Sequence, residues 1–284
     1  LKVKYMSSPK RVGLPPAAFI DEVISIVNRA RDKGVVLRVL GATAVYIHTM
    51  DRPGSIKIYQ YLKRFKDGEI LFTDLDLIGY SKQRSSIISF FEKELGFKVD
   101  PYIKALFGAR RLVYYHPQNL YSVDVFFDKL EFSHDIVFGN KPGKGRLELD
   151  YPTISLADLL LEKLQIHKIN RKDLVDLAVL LHGHWLCKEC GERDRDCIDD
   201  DYVASVLASD WGFWYDAVLN LNKLASFVSA ELSIVDANAS KTVQDRIRAL
   251  MDSIEKKPKS KEWIKRSKIG TSKPWYREVE EIER

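Results

Sequence analysis

The sequence predicts an α+β protein in three parts: an α/β region over residues 1–145, a helical region over 146–254 and a basic segment over 255–284. Three observations carry this. Strand-like and helix-like stretches alternate as far as Phe127. Beyond a stretch rich in Gly, Pro and Lys from Asn140 to Gly145, the apolar spacing is almost wholly helical. From Lys256 to Arg277 there are nine Lys or Arg against one acid, Glu262, a net of +8 (9 − 1) that exceeds the +5 of the whole chain.

Phe19 to Arg31 carries Ile20, Val23, Ile24 and Val27 at helical spacing and stops before Gly34, a good helix terminator. Val35 to Leu40 has strand composition, and Gly41 opens a short helix through Ala44, Val45 and Ile47. Asp51 to Asp67 is polar, with Pro53 and Gly54, and reads as a surface excursion. Ile70 to Ile78 is the next strand, Ser81 to Leu95 an amphipathic helix, and Arg111 to His116 and Tyr121 to Phe127 two strands joined by a turn. Ser155 with Asp158 signals a helix over Leu156 to His167; Asn170 breaks it, and Lys172 to His182 resumes the period. Further helices cover Asp199 to Leu207, Trp214 to Ser229 and Thr242 to Lys256, and Trp211, Phe213, Trp214 and Tyr215 read as core aromatics.

With 284 residues and 45% apolar content, the chain can fill a genuine core. It has no run of 18 or more apolar residues and no N-terminal leader pattern, so the expectation is a soluble, cytoplasmic protein without a membrane partner. The basic segment suits a polyanion such as an NTP or RNA, because clustered cations displace condensed counterions; the alternative is a solvated tail.

Four features suggest chemistry at phosphate: an acid pair, a lone acid in an apolar strand, a glycine turn and a lysine on an apolar helix face. In FTDLDLIGY, Asp74 and Asp76 leave one face of a strand with Cα atoms roughly 6–7 Å apart, a span suited to gripping a divalent ion. In YSVDVFFD, Asp124 lies among Val123, Val125 and Phe126, where a carboxylate needs a partner or a metal; Asp128, four residues on, is a substitute candidate. If the two strands are neighbours, three hard oxygen donors converge and can hold Mg²⁺. In LGATAVYIH, Gly41 lets backbone approach an anion at a helix N-terminus, and Thr43 adds a hydroxyl. Each alone has a plain reading, an exposed strand face for the acid pair and a tight strand-to-helix turn for the glycine. Lys163 falls on the apolar stripe of its helix, where it either snorkels to solvent or points into a cleft to neutralise phosphates. Asp173 and Asp176 fall on the inward side of the next helix; they orient Lys163 or Arg171, or cap and pair locally.

The ordered set GATAV, TDLDL and YSVDVFFD resembles the nucleotidyltransferase superfamily that includes polymerase β, in particular its minimal bacterial and archaeal branches. SLADLLLEKLQIHKINRKDLVDLAVLL is similar to the helical signature of AbiEii-type nucleotidyltransferases, a toxin-related branch with a Lys followed by a charged K-D-x-x-D helix. The resemblance covers about Val36 to Leu181. It implies a mixed-sheet nucleotidyltransferase domain followed by helices, and Mg²⁺-dependent transfer of NMP from an NTP to an acceptor: an RNA 3′ end, a protein or a small molecule. It also raises an antitoxin protein as a partner. On this resemblance Asp74 and Asp76 form the first metal pair, Asp124 the third carboxylate, Gly41 and Thr43 the phosphate-facing turn, and Lys163 with Asp173 the nucleotide side. Where the family usually has a Gly or Ser after the first glycine, this chain has Ala42, and its spacer from Gly41 to Asp74 is longer than in the minimal members. The competing readings are a non-catalytic RNA-binding protein on the same fold and a metal-dependent phosphohydrolase.

All three cysteines are local, in HGHWLCKECGERDRDC. Cys187, Cys190 and Cys197 with His184 or His182 form a candidate structural Zn²⁺ set; inert thiols or a disulfide are the alternatives.

Overall fold

The computed structural model describes residues 13–64, 72–187 and 196–279. Helix α1 (Pro16–Asp32) starts with proline in its first turn and ends before Gly34, which takes φ +70°. Phe19, Val23, Ile26, Val27 and Ala30 form its buried stripe. Strand β1 (Leu37–Val39) follows, then α2 (Gly41–Thr49) and α3 (Pro53–Tyr61). The predicted surface excursion is therefore in part a helix. Its helical period is masked by Pro53 and Gly54, which serve the helix start and a close contact: a Cβ on Gly54 would meet the His182 ring at 2.8 Å.

Strand β2 (Asp74–Gly79) leads through a 3₁₀ turn, α4 (Arg84–Ser89) and a π-helical turn, Phe90–Glu94, to β3 (Lys98–Val99), α5 (Pro101–Phe107), β4 (Arg111–Tyr115) and β5 (Ser122–Phe127). These strands form one mixed sheet in the order β1-β2-β5-β4-β3. Strands β2 and β5 run parallel at its centre, with Asp76 opposite Asp124; the β1–β2, β4–β5 and β3–β4 pairs are antiparallel. A parallel pair cannot be joined by a tight turn, so the intervening elements serve as the crossover. Every residue of β5 is buried, which explains its near-continuous apolar run.

A small hairpin of β6 (Lys129–Glu131) and β7 (Asp135–Val137) precedes the helices α6 (Leu156–Leu164) and α7 (Arg171–Gly183). Ser155 caps α6 and Asn170 caps α7, each accepting from a backbone N–H three residues on. Parallel strands β8 (Trp185–Cys187) and β9 (Cys197–Asp199) lead to α8 (Asp200–Ser209), α9 (Trp211–Phe227), α10 (Ser233–Val235) and α11 (Ala237–Lys256). The fold is thus α+β with a mixed sheet. One apolar core runs from Phe19 to Ile254, across the expected boundary near residue 145.

Residues Trp211–Val235 are long and apolar enough to cross a membrane by length and composition. Phe213, Ala217, Leu221, Leu224, Val228 and Leu232 of this stretch belong to the core, and Asp216 and Asn220 are buried with them.

The basic segment does not trail into solvent. Helix α12 (Lys261–Ser267) docks Trp263 edge-on to Trp214, and Arg266 stacks over Trp211. Trp275 donates to Asp216 at 3.0 Å, and Arg277 donates its N–H to Ser133 and its Nε to Phe132 O. Several cations serve this docking: Lys257 pairs with Asp201, and Lys259 donates to the carbonyls of Ile254 and Lys257. Lys261, Lys265, Lys268 and Lys273 stay exposed.

One buried ionic group ties α3 to α7. Arg64, just past α3, grips Asp176 with two hydrogen bonds of 2.8 and 3.2 Å, and Lys163 reaches both Asp173 and Asp176 at 3.0 Å. Arg64, Asp176 and Lys163 are 8%, 1% and 6% exposed, so removing the shared anion takes two hydrogen bonds from Arg64 and leaves Lys163 with Asp173, in a desolvated site where lost charge pairing is costly. Asp176→Ala is expected to cost about 3–5 kcal/mol, read from urea denaturation. A loss below about 1 kcal/mol, the range of an exposed pair, would contradict the assigned role.

Candidate functional site

The acid cluster follows from strand register. Because Asp76 and Asp124 are partners on parallel neighbours, their side chains leave the same face; Asp74 and Ser122 are the partners two residues earlier. The opposite face is apolar, with Leu75, Leu77, Val123 and Val125 fully buried. The three predicted acids are therefore brought to one place. Asp74 accepts from Ser122 Oγ at 2.5 Å and from Thr73 Oγ1 at 2.9 Å, while Asp124, 3% exposed, accepts two hydrogen bonds from Arg111 at 2.9 and 3.2 Å.

The glycine turn abuts these acids. Gly41 has φ +67°, and a Cβ there would lie 3.0 Å from Asp76 Oδ2 and 3.8 Å from Glu162 Oε1. Both the backbone conformation and the close approach thus require glycine. Its N–H donates to Glu162 Oε2 at 3.2 Å. Thr43, expected to add its hydroxyl to the phosphate-facing turn, is 3% exposed, within the helix turn that packs Ala44 and Val45 into the core.

Two participants were not anticipated. Arg111 lies on the next strand, and only the β4–β5 register brings it to Asp124. Glu162 gave a legible signal, an acid inside the apolar run LLLEKL, but stood beside the more conspicuous Lys163. Four carboxyl groups, Asp74, Asp76, Asp124 and Glu162, thus share a neighbourhood with one guanidinium, Arg111. Burial first, then the charges of Asp124, Glu162 and Asp74, hold the Asp76 carboxyl far above the usual carboxylate range. Burial pushes Glu162 up to about 7 against the opposing pull of Lys163 and the Gly41 N–H.

Lys163 differs from its expected role. Burial works to lower its pKa, but the charges of Asp176, Asp173 and Glu162 outweigh that and raise it. It is a matched cation in an internal network rather than one projecting free toward phosphate. Asp173 is part of that match, and Arg171 instead donates to Leu62 O and pairs with Glu231. Asp128 does not join the acids: it takes φ +66° at the end of β5 and accepts from the Ser81 N–H at 2.8 Å.

The expected zinc set is not assembled. Cys187 and Cys197 are joined in a disulfide, so their sulfurs are not thiolate ligands, and Cys190 lies outside the described residues. Both ring nitrogens of His184 face carbonyl oxygens, those of Asp196 and His48, and His182 Nδ1 faces Ser55 Oγ at 3.2 Å. Among the described residues no three His, Cys, Asp or Glu side chains form a ready metal cage. At the acid cluster, Asp124 is engaged by Arg111, and Asp74 by Ser122 and Thr73. The donor set itself, hard oxygens with excess negative charge, fits Mg²⁺.

Compared with known proteins, the chain matches no family model, no curated protein and no solved structure. The chemical reading of the site therefore rests on its own residues.

A carboxylic acid with a raised folded-state pKa keeps its proton longer in the folded chain. Its contribution to stability is full below its unfolded value, about 4.5 for Glu162, and is lost as pH rises through about 7. Glu162→Gln, which cannot ionise but still accepts from Gly41, should gain in Tm over the unchanged protein as pH is raised across that window. A Tm difference that does not change with pH would show that Glu162 is not held protonated.

Proposed function

We propose that the protein is a Mg²⁺-dependent nucleotidyltransferase, moving NMP from an NTP onto an acceptor hydroxyl. The observation that carries this reading is the contact between the Gly41 turn and Asp76, within the cluster that also holds Asp124. A phosphohydrolase needs the acids but not this turn, and a purely RNA-binding protein needs neither.

Asp74, Asp76 and Asp124 are the residues that would hold the metal. When bound, Mg²⁺ would offset their mutual repulsion and supply Lewis-acid charge to the phosphoryl oxygens. Gly41 admits the triphosphate close to backbone, and the first-turn amides of α2 lack helical acceptors and suit an anion. Glu162 keeps that turn in place through the Gly41 N–H. Arg111 balances Asp124 in the resting site, so engagement of Asp124 elsewhere frees a guanidinium beside the cluster. The exposed Lys261, Lys265, Lys268 and Lys273 supply a surface for a polyanionic acceptor such as RNA. The same chemistry serves a protein or small-molecule acceptor hydroxyl, and the family resemblance adds an antitoxin protein as a partner.

Incubating the protein with each α-labelled NTP, Mg²⁺ and total RNA or lysate should label an acceptor. Asp76→Asn keeps the shape and removes the charge, so the fold should persist while transfer falls by about 10²-fold or more. Full transfer by that variant would defeat the assignment.

A further inference from the structure

A second chemically organised centre lies at the far end of α6. Asp216, 2% exposed, sits between His134 Nε2 at 2.8 Å, His167 Nδ1 at 3.0 Å and Trp275 Nε1 at 3.0 Å. Burial works against its charge, yet the hydrogen bonds from His134, Trp275 and His167 outweigh burial and hold its pKa below the usual value. An ionised carboxylate only accepts hydrogen bonds, so each facing ring nitrogen carries the proton. For His167 this fixes the hydrogen on Nδ1 and leaves the lone pair of the neutral ring on Nε2.

His167 lines a cavity of about 410 Å³, together with Phe132, Ser133, Glu162, Lys168 and Tyr276. Tyr276 stacks on the imidazole with ring centroids 3.5 Å apart, and Trp275 packs edge-on to it. With Nδ1 turned to Asp216 and one face covered by Tyr276, the Nε2 edge and the other ring face are left to meet the cavity. No partner for Nε2 is present among the described residues. The arrangement matches the physical logic of a carboxylate-oriented imidazole base: a buried acid sets the tautomer and stabilises the imidazolium that forms. Glu162 is the link between this cavity and the acid cluster: it lines the one and accepts from the Gly41 N–H of the other, while Asp74, Asp76 and Asp124 lie outside the lining.

We propose that this cavity is the acceptor subsite and that His167 is a catalytic residue, the general base for the acceptor hydroxyl. The inference rests on the nucleotidyl-transfer reading. In the step, the acceptor O–H gives its proton to His167 Nε2 as its oxygen forms a bond to the α-phosphorus of the NTP. The bond from that phosphorus to the bridging oxygen breaks, and pyrophosphate leaves with the electron pair. The docked Trp275 and Tyr276 then have a function, since they hold the ring that takes the proton.

Water is the simplest acceptor and provides a defined assay: pyrophosphate release from each NTP with Mg²⁺ and no added acceptor, beside NTP affinity measured by calorimetry. His167→Gln should bind NTP as the unchanged protein does and lose pyrophosphate release by about 10²–10⁴-fold, the range of general-base catalysis. If that variant unfolds, Asp216→Asn carries the test, because an amide no longer stabilises the imidazolium; release should again fall by more than tenfold at unchanged NTP affinity. Undiminished release by a folded His167 or Asp216 variant, while Asp76→Asn is inactive, would overturn the base assignment alone. Absence of release from the unchanged protein with every NTP, both alone and with total RNA or lysate added, would defeat the transfer reading and this inference with it.

Discussion

Four carboxyl groups crowded at the centre of one sheet are the constraint around which the rest is arranged. The parallel pairing of β2 and β5 sets Asp76 beside Asp124, the fold behind them is apolar, and α6 brings Glu162 to the same place. Such a concentration of like charge works against folding unless protons, a guanidinium or a cation relieves it. In this structure the relief is Arg111 on Asp124, hydroxyls on Asp74 and raised pKa values at Asp76 and Glu162.

The helices make that concentration sustainable. Helix α6 is buried along its whole length and joins three polar systems: Asp158 with Arg146, Glu162 with the Gly41 turn, and Lys163 with Asp173 and Asp176. Arg64 adds a second cation to the last of these and fixes α3 against α7. The C-terminal segment closes the other side, where Trp275 and Tyr276 pack on His167 and Arg277 holds the β6–β7 hairpin. Sheet, helices and C-terminal segment are thus linked by buried polar contacts as well as by the shared core.

Local patterning revealed most of the elements. The apolar spacing of α1, the capping pair Ser155 with Asp158, the break at Asn170 and the strands around Asp76 and Asp124 were all legible. Helix α3 was not, because its Pro53 and Gly54 read as loop residues while their reasons, a helix start and an approach to His182, are tertiary. Lys163 looked like a phosphate ligand because a cation on an apolar stripe is anomalous; Asp173 and Asp176, read on the inward side of the next helix as candidate partners, are the anions that hold it. Arg111 and the Asp216 centre were invisible for a related reason, since their partners come from other strands or from segments up to 82 residues distant. In the basic segment, charge count alone did not disclose that Trp263, Arg266, Trp275 and Arg277 are anchors.

The central claim is that the crowded acids await a divalent cation and a triphosphate. It is tested most directly by crystallography with Mn²⁺ in place of Mg²⁺ and non-hydrolysable NTP analogues, locating the metal by its anomalous scattering. The account predicts a Mn²⁺ peak between the Asp76 and Asp124 carboxylates, with triphosphate density against the Gly41 turn. Triphosphate bound elsewhere, with no metal at these acids under saturating Mn²⁺, would contradict it.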